Sequence, residues 1–554
     1  MKVKDLPYKR YTIEEGRDTF QKFKTEASEA ENADDMMKAR ETAVKFMNDY
    51  STASALAYSR YTLNTADEFY KGEMDYYDEN GPLFSALLTE YSSIILDSPF
   101  RKGLEEKLGK QVIRKLDYSR KSFDERITEE SQKENQLVTK YSQLMAAMEF
   151  EFDGRKMPLS VLRGYLQSED RETRRKASYS IGKGLSSHAD ELDKIYDDMV
   201  KVRNKMALKM GCKNFTELGM YRMGRTDYSK EDLANFRKNT VKDIVPAVEK
   251  IKAGVKKDLG IDRIMFYDDQ IYLNSSSPKP VGTTADIFKN AEKMYDDMDP
   301  EIGAFMREML KNEAFDVEAR KNKWGGGYTI GFPNYKQPFI LANFNGTTDD
   351  IDVITHEFGH ALEYHWAYDL NLPEIDEGGM ETAECHSMSM EFLAEKYMNL
   401  FFGDEAPKYC KKHLLESFCF IPYGVIVDEF QTNVYDNPDM TPSERKEMYL
   451  NLEKKYRPYL SYEGIPYLEE GTRWQYQMHI FESPFYYIDY CLAQTVALDF
   501  AMLSKKDYKE ALKRYKAFLK KAGTAAFPDL VKQAGFIPPF EDGALADIAG
   551  KVKY

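Results

Sequence analysis

The chain has 554 residues, 42% of them hydrophobic, enough to bury a large core and to fill roughly three or four domain-sized units. Its 93 acidic and 78 basic residues give a formal charge of −15, which argues against nucleic acid or an anionic membrane as the main partner. Five scattered cysteines, never in a C-x-x-C pair, fit a reducing compartment rather than a disulfide framework.

The N-terminus turns charged at once (Met1-Lys-Val-Lys-Asp-Leu-Pro7) and has no apolar signal region. The longest apolar-leaning stretch, Phe418 to Val427, falls well short of the ~20 residues a membrane span needs. A soluble cytoplasmic protein is the expectation. Between Asp34 and Asp75, Met36, Ala39, Ala43, Met47 and Tyr50 recur at three- and four-residue spacing, which predicts helix. Glycine and proline are scarce from Ala27 to Glu79, so little punctuates that run. Arg114 to Phe152 has the same character. Residues 1–157 are therefore expected to form an N-terminal helical region that serves as scaffold or channel wall. A second helical block starts near Pro158, Ser168-Glu-Asp170 reads as a capping signal, and Pro246 marks a later break.

The texture changes between Trp324 and Thr348. Gly325 to Pro333 and Gln337 to Gly346 are short, β-leaning and rich in turn residues, and predict two strands or a hairpin. The glycines do not fit G-x-G-x-x-G, and no P-loop lysine follows them.

The segment 352–366 comes next and contains His356-Glu-Phe-Gly-His360. Two histidines at i and i+4 lie on one helix face, so both imidazoles can reach one tetrahedral zinc ion. Glu357 beside them suits a general base acting on a metal-bound water, taking its proton and delivering it to a leaving amine. A catalytic zinc needs a third protein ligand and an open position. If the stretch after Asp376 is helical, Glu377, Glu381, Glu384 and Glu391 fall near one stripe. Met388, Phe392 and Leu393 show that this helix also packs, and spacing alone does not choose between Glu381 and Glu384. His386 suits a supporting or packing role and His365 is turned away from the pair. His188 and His413 read as structural or surface residues.

Farther on, Trp474, Tyr476, His479, Phe481, Phe485, Tyr486, Tyr487 and Tyr490 crowd together. Phe481 and Phe485 read as core, whereas the tyrosines and His479 have polar ends that need partners if buried.

Three patches carry a family resemblance: His356-Glu-Phe-Gly-His360-Ala, Glu384-Cys-His-Ser-Met-Ser-Met-Glu391-Phe, and His479-Ile-Phe-Glu-Ser-Pro-Phe-Tyr-Tyr-Ile-Asp-Tyr490. In these the chain resembles the M3 family of zinc oligopeptidases, in particular its oligoendopeptidase F and Pz-peptidase-like branch. The resemblance implies Glu384 as third ligand, with one Zn2+ per chain on His356, His360 and Glu384. Glu381 fits the alternative E-x-x-x-D pattern poorly, because Cys385 stands four places on. The resemblance also implies that His479 and the following tyrosines line the site and donate to substrate or oxyanion. Tyr490 is the first choice for the oxyanion, followed by Tyr487 and then Tyr486. Glu363 stands where some members have histidine or glutamine.

The implied fold is mainly α. It is a bilobal helical metallopeptidase with a small β-hairpin or sheet beside the metal helix and a deep central channel, its catalytic region spanning 158–554. The implied substrates are short peptides. An exposed edge strand within Phe339 to Asn345, presenting Ala342 and Asn343, would pair with them through its backbone; a buried supporting hairpin is the other reading. A zinc metallocarboxypeptidase of related fold, or a non-catalytic helical binding protein, are the alternatives.

Overall fold

The computed structural model describes every residue except 275–276, 376–378 and 522; Glu377 thus lies outside the described residues. Helix makes up 71% of the chain, and the fold is mainly α. The first long helix, Ala33–Leu63, is capped by Asn32, whose side chain accepts from Asp35 N. It buries Met36, Ala39, Ala43, Met47 and Tyr50, the stripe that the spacing predicts. The run does not continue to Asp75. It stops at Asn64, and Asp67 caps a new helix, Glu68–Leu96, by accepting from Phe69 N and Tyr70 N. Asx side chains make this break without glycine or proline.

Pro246 does not break the chain either. It lies in the first turn of Val245–Asp258, which follows directly on a π-helical turn at Thr240–Ile244. Apolar side chains from the first hundred or so residues, among them Phe20, Phe23, Phe84 and Tyr91, form a core of their own. A larger core takes in most of the remaining chain. The segment 372–375 reaches into the first core with Ile375, and there Arg40 holds Glu374 in a buried bidentate pair at 2.9 and 2.6 Å. No helix among the described residues is long and apolar enough to cross a membrane.

Strands β1 (Phe315–Glu318), β2 (Tyr328–Phe332) and β3 (Gln337–Phe344) form one sheet in the order β1-β3-β2. β3 runs antiparallel to β2 and parallel to β1. It is the middle strand, so the expected exposed edge at Ala342 and Asn343 is overturned. Ala342 is buried and its carbonyl accepts from Lys323 Nζ at 2.5 Å. Asn343 Nδ2 is committed to the carbonyls of Trp324 and Gly326. The Ala342 carbonyl and the Asn343 side chain are thus both engaged within the protein.

Four helices then build the site: α1 (Asp349–Ala367), α2 (Met380–Ala394), α3 (Ala406–Asp436) and α4 (Tyr487–Lys506). α2 packs between α1 and α4 and is buried on nearly every side. Gly359 on α1 makes the α1–α2 approach possible, since a Cβ there would stand 2.6 Å from Ser387 Cα and 2.8 Å from the His386 carbonyl oxygen. The glycine inside the H-E-x-x-H pattern thus lets α2 lie against the histidine helix.

Candidate metal centre

His356 and His360 project from one face of α1, and the close approach of α2 brings Glu384 to meet them. Glu384 Oε2 lies 3.3 Å from His356 Nε2 and 3.7 Å from His360 Nε2. The three ligand atoms all fall within 4.8 Å of one another. A tetrahedral ion with bonds of about 2.0–2.1 Å holds its ligands roughly 3.3–3.4 Å apart, close to the two separations from Glu384. Its donor set, two imidazoles and a carboxylate, suits zinc as well.

The electrostatics favour a cation here. Burial opposes ionisation of Glu384, yet His356, His360 and the Tyr486 hydroxyl hold its pKa at about 2. Burial lowers His360 to about 4, which leaves its ring neutral, the form that can bind a metal. Burial also pulls His356 down, but Glu384 and Glu391 together carry it well above the ordinary histidine value.

Glu391 is seven residues from Glu384, two turns along the same face of α2. It accepts from His356 Nδ1 at 2.6 Å through one oxygen, and its other oxygen pairs with His413 Nε2 at 2.7 Å. His413 Nδ1 pairs in turn with Glu395 at 3.1 Å. This chain fixes the His356 ring with Nε2 turned toward Glu384. His413, expected to be structural or at the surface, therefore stands directly behind His356, on the far side of Glu391. No sequence pattern links it to His356, because it comes from α3 and only tertiary packing brings it there.

Glu357 lies beside the trio. Thr329 Oγ1, on β2, is 2.7 Å from its Oε2 and 2.8 Å from its backbone oxygen. That contact holds the carboxylate to one side, where burial raises its pKa above the usual carboxylate value against the opposing charge of His356. Thr329 carried no signal in the sequence beyond its place in a β-leaning run.

The opposite wall comes from Met478–Glu482, the loop after it, and the start of α4. Phe485 in that loop has φ of +69°. Three contacts enforce this turn: Arg225 Nη2 donates to the Phe485 carbonyl at 2.6 Å and to Asp489 at 2.8 Å, while Phe485 N donates to Gln431. The turn delivers Tyr486, whose hydroxyl donates to Glu384 Oε1.

The ring of His479 lies 4.9 Å from that of Tyr487 and 5.8 Å from that of Tyr490. Tyr423 donates to Gln477 Oε1 at 2.6 Å, which turns the Gln477 amide nitrogen toward His479 Nδ1 at 2.9 Å. That orientation puts the imidazole proton on Nε2. Burial lowers the His479 pKa to about 4, so the ring is neutral. Burial and the charge of Glu384 raise Tyr490 well above the ordinary phenol value, and Glu357 adds to this. The charges acting on Tyr487 include neither glutamate.

Phe481 and Phe485 are buried, as expected. His365 packs its ring 4.2 Å from that of Phe305. His386 is fully buried with Nδ1 3.1 Å from Glu363 Oε2.

Residues 164–549 match the model of peptidase family M3, and residues 3–123 match the peptidase M3 N-terminal domain. The oligopeptidase PepF of Bacillus subtilis is 24% identical over 542 residues, covering 91% of this chain and 78% of that one. An oligoendopeptidase F homolog of Borreliella burgdorferi is 23% identical over 414 residues, 70% of this chain and 66% of its own. The solved structure of Pz peptidase A with inhibitor 2 superposes with a TM-score of 0.95 at 41% identity, over 99% of this chain and 98% of that one.

Proposed function

The chain belongs to peptidase family M3, and from that premise we propose that it is a cytoplasmic oligoendopeptidase that cuts short peptides with one zinc ion on His356, His360 and Glu384. The observation that carries the mechanism is the place of Glu357, held by Thr329 beside the ligand trio rather than within it. When bound, zinc lowers the pKa of an attacking water toward neutrality and polarises the scissile carbonyl. Glu357 takes the proton of that water and passes it to the departing nitrogen. Its buried, raised carboxylate suits both halves of the transfer.

Negative charge on the carbonyl oxygen needs donors that are already in place. Tyr490 is the donor we assign to it. The Tyr486 hydroxyl is already bound to Glu384, and Tyr487 turns toward His479 and Tyr423. His479, neutral and with its proton on Nε2, donates to the substrate backbone. Tyr487 packs the His479 ring in place.

The test is digestion of a short, internally quenched peptide amidated at its C-terminus. Internal cleavage that a chelator abolishes and one equivalent of zinc restores is the expected result. Cleavage indifferent to the chelator, or trimming of free C-terminal residues alone, would refute the reading.

A further inference from the structure

Buried arginines in this protein are paired with acids. Arg203 takes Glu134, Arg225 takes Asp489, and Arg457 takes Glu453 and Asp269. Arg473, half-buried, is different. Among the described residues no carboxylate lies within ion-pair distance of it, and its Nη1 is buried without a hydrogen-bond partner. Its guanidinium sits 4.0 Å from the ring centre of Tyr476 and 4.9 Å from that of Tyr423. The hydroxyl of Tyr476 is likewise buried with no partner. Arg163 approaches the same Tyr476 ring, at 5.3 Å, and among the described residues donates only to the Tyr476 carbonyl. Two guanidiniums and an idle phenol thus meet on one patch, in a chain whose net charge is −15. A guanidinium nitrogen shut off from water and left unpaired is costly unless an anion joins it.

The patch is continuous with the wall already described. From His479 to Tyr487, then to Tyr423, then to Arg473, the successive separations are 4.9, 5.9 and 4.9 Å. They bound the distance from His479 to Arg473 at about 16 Å, the reach of about five extended residues. All four side chains along this path are only partly buried, so solvent reaches each of them.

We propose that Arg473, assisted by Arg163 and Tyr476, is a subsite for the carboxylate at the C-terminal end of an oligopeptide substrate. The proposal rests on the oligoendopeptidase reading and adds to it a substrate class, peptides with a free C-terminus a few residues beyond the cut. A guanidinium stacked on an aromatic ring keeps its planar fork of donors free for a carboxylate. The carboxylate would also anchor the chain in one direction and limit how many residues follow the scissile bond.

Three matched internally quenched peptides test this: one with a free C-terminal acid, its amide, and the amide carrying aspartate as the last residue. For the unaltered zinc enzyme kcat/KM should be about tenfold or more higher for the acid than for the amide, mainly through KM. In Arg473→Met that ratio should fall to near one, and Arg473→Lys should retain part of it. Equal rates on acid and amide by the unaltered enzyme would overturn the subsite, as would a ratio that survives in Arg473→Met. Rescue of the amide by the terminal aspartate to the level of the acid would overturn its assignment to the chain terminus. Should the methionine variant fail to fold, competition by product peptides against the unaltered enzyme decides. The acid product should inhibit about tenfold more strongly than its amide, and equal inhibition refutes the proposal. Whether the amide is cut at all tests the endopeptidase reading separately.

Discussion

On the metal side of the site, each group is gripped by charge. His356 stands between Glu384 and Glu391, and Glu391 is itself held by His413. On the opposite side His479, Tyr487 and Tyr490 rely on ring edges and on one neutral relay from Tyr423 through Gln477. The first set stands on two adjacent helices brought together at Gly359. The second hangs from a turn that needs a positive φ at Phe485 and an arginine to hold it. The contrast matches the tasks proposed for the two sides. Ligands must stay fixed around an ion of constant size, whereas donors to substrate must meet a charge that exists only during reaction.

This division can be broken from either side. On the substrate side Tyr490→Phe should lower kcat by about 10²–10³-fold while zinc content stays near that of the unaltered protein. An unchanged kcat would remove Tyr490 from the oxyanion role. Glu391→Gln should act the other way, weakening zinc affinity by roughly 10–100-fold and leaving kcat close to normal in excess zinc. Titration against a chelator of known affinity measures this, and unaltered affinity would mean that the His413 chain does not support the ligand.

The smallest effect concerns stability. His479 has a pKa of about 4 against an ordinary 6.5, because burial disfavours its charged form. The unfolded chain therefore binds the extra proton first. The stability that His479 contributes is complete above about pH 6.5 and is lost as pH falls through about 4. His479→Gln should flatten the loss of stability on acidification by on the order of 1 kcal/mol, read from denaturant midpoints at neutral and mildly acidic pH. An unchanged slope would contradict a buried neutral imidazole.

Much of the metal side was legible in the sequence because it is local. A histidine pair at i and i+4 needs only helix periodicity, and the glycine between them needs only that a second helix come close. Choosing Glu384 over Glu381 took the family resemblance, because both lie on the same stripe of α2. The error over Ala342 and Asn343 has a physical cause: strand order is set by tertiary pairing, and short strands look alike whether central or at an edge. The continuous apolar run Pro338 to Ala342 was the available sign of a strand covered on both faces. Thr329, His413 and the turn at Phe485 left no trace, since each acts on a residue far away in the chain. The break at Asn64 was missed for a smaller reason, that Asx caps end helices as effectively as glycine or proline.

The measurement that tests the account most directly joins metal analysis to peptide cleavage in Glu357→Gln. The amide should keep the hydrogen bond from Thr329 and leave His356, His360 and Glu384 in place, so about one zinc per chain should remain. With no group to take the proton of the attacking water, cleavage should fall by roughly 10²–10⁴-fold. Full activity in that variant would contradict the mechanism.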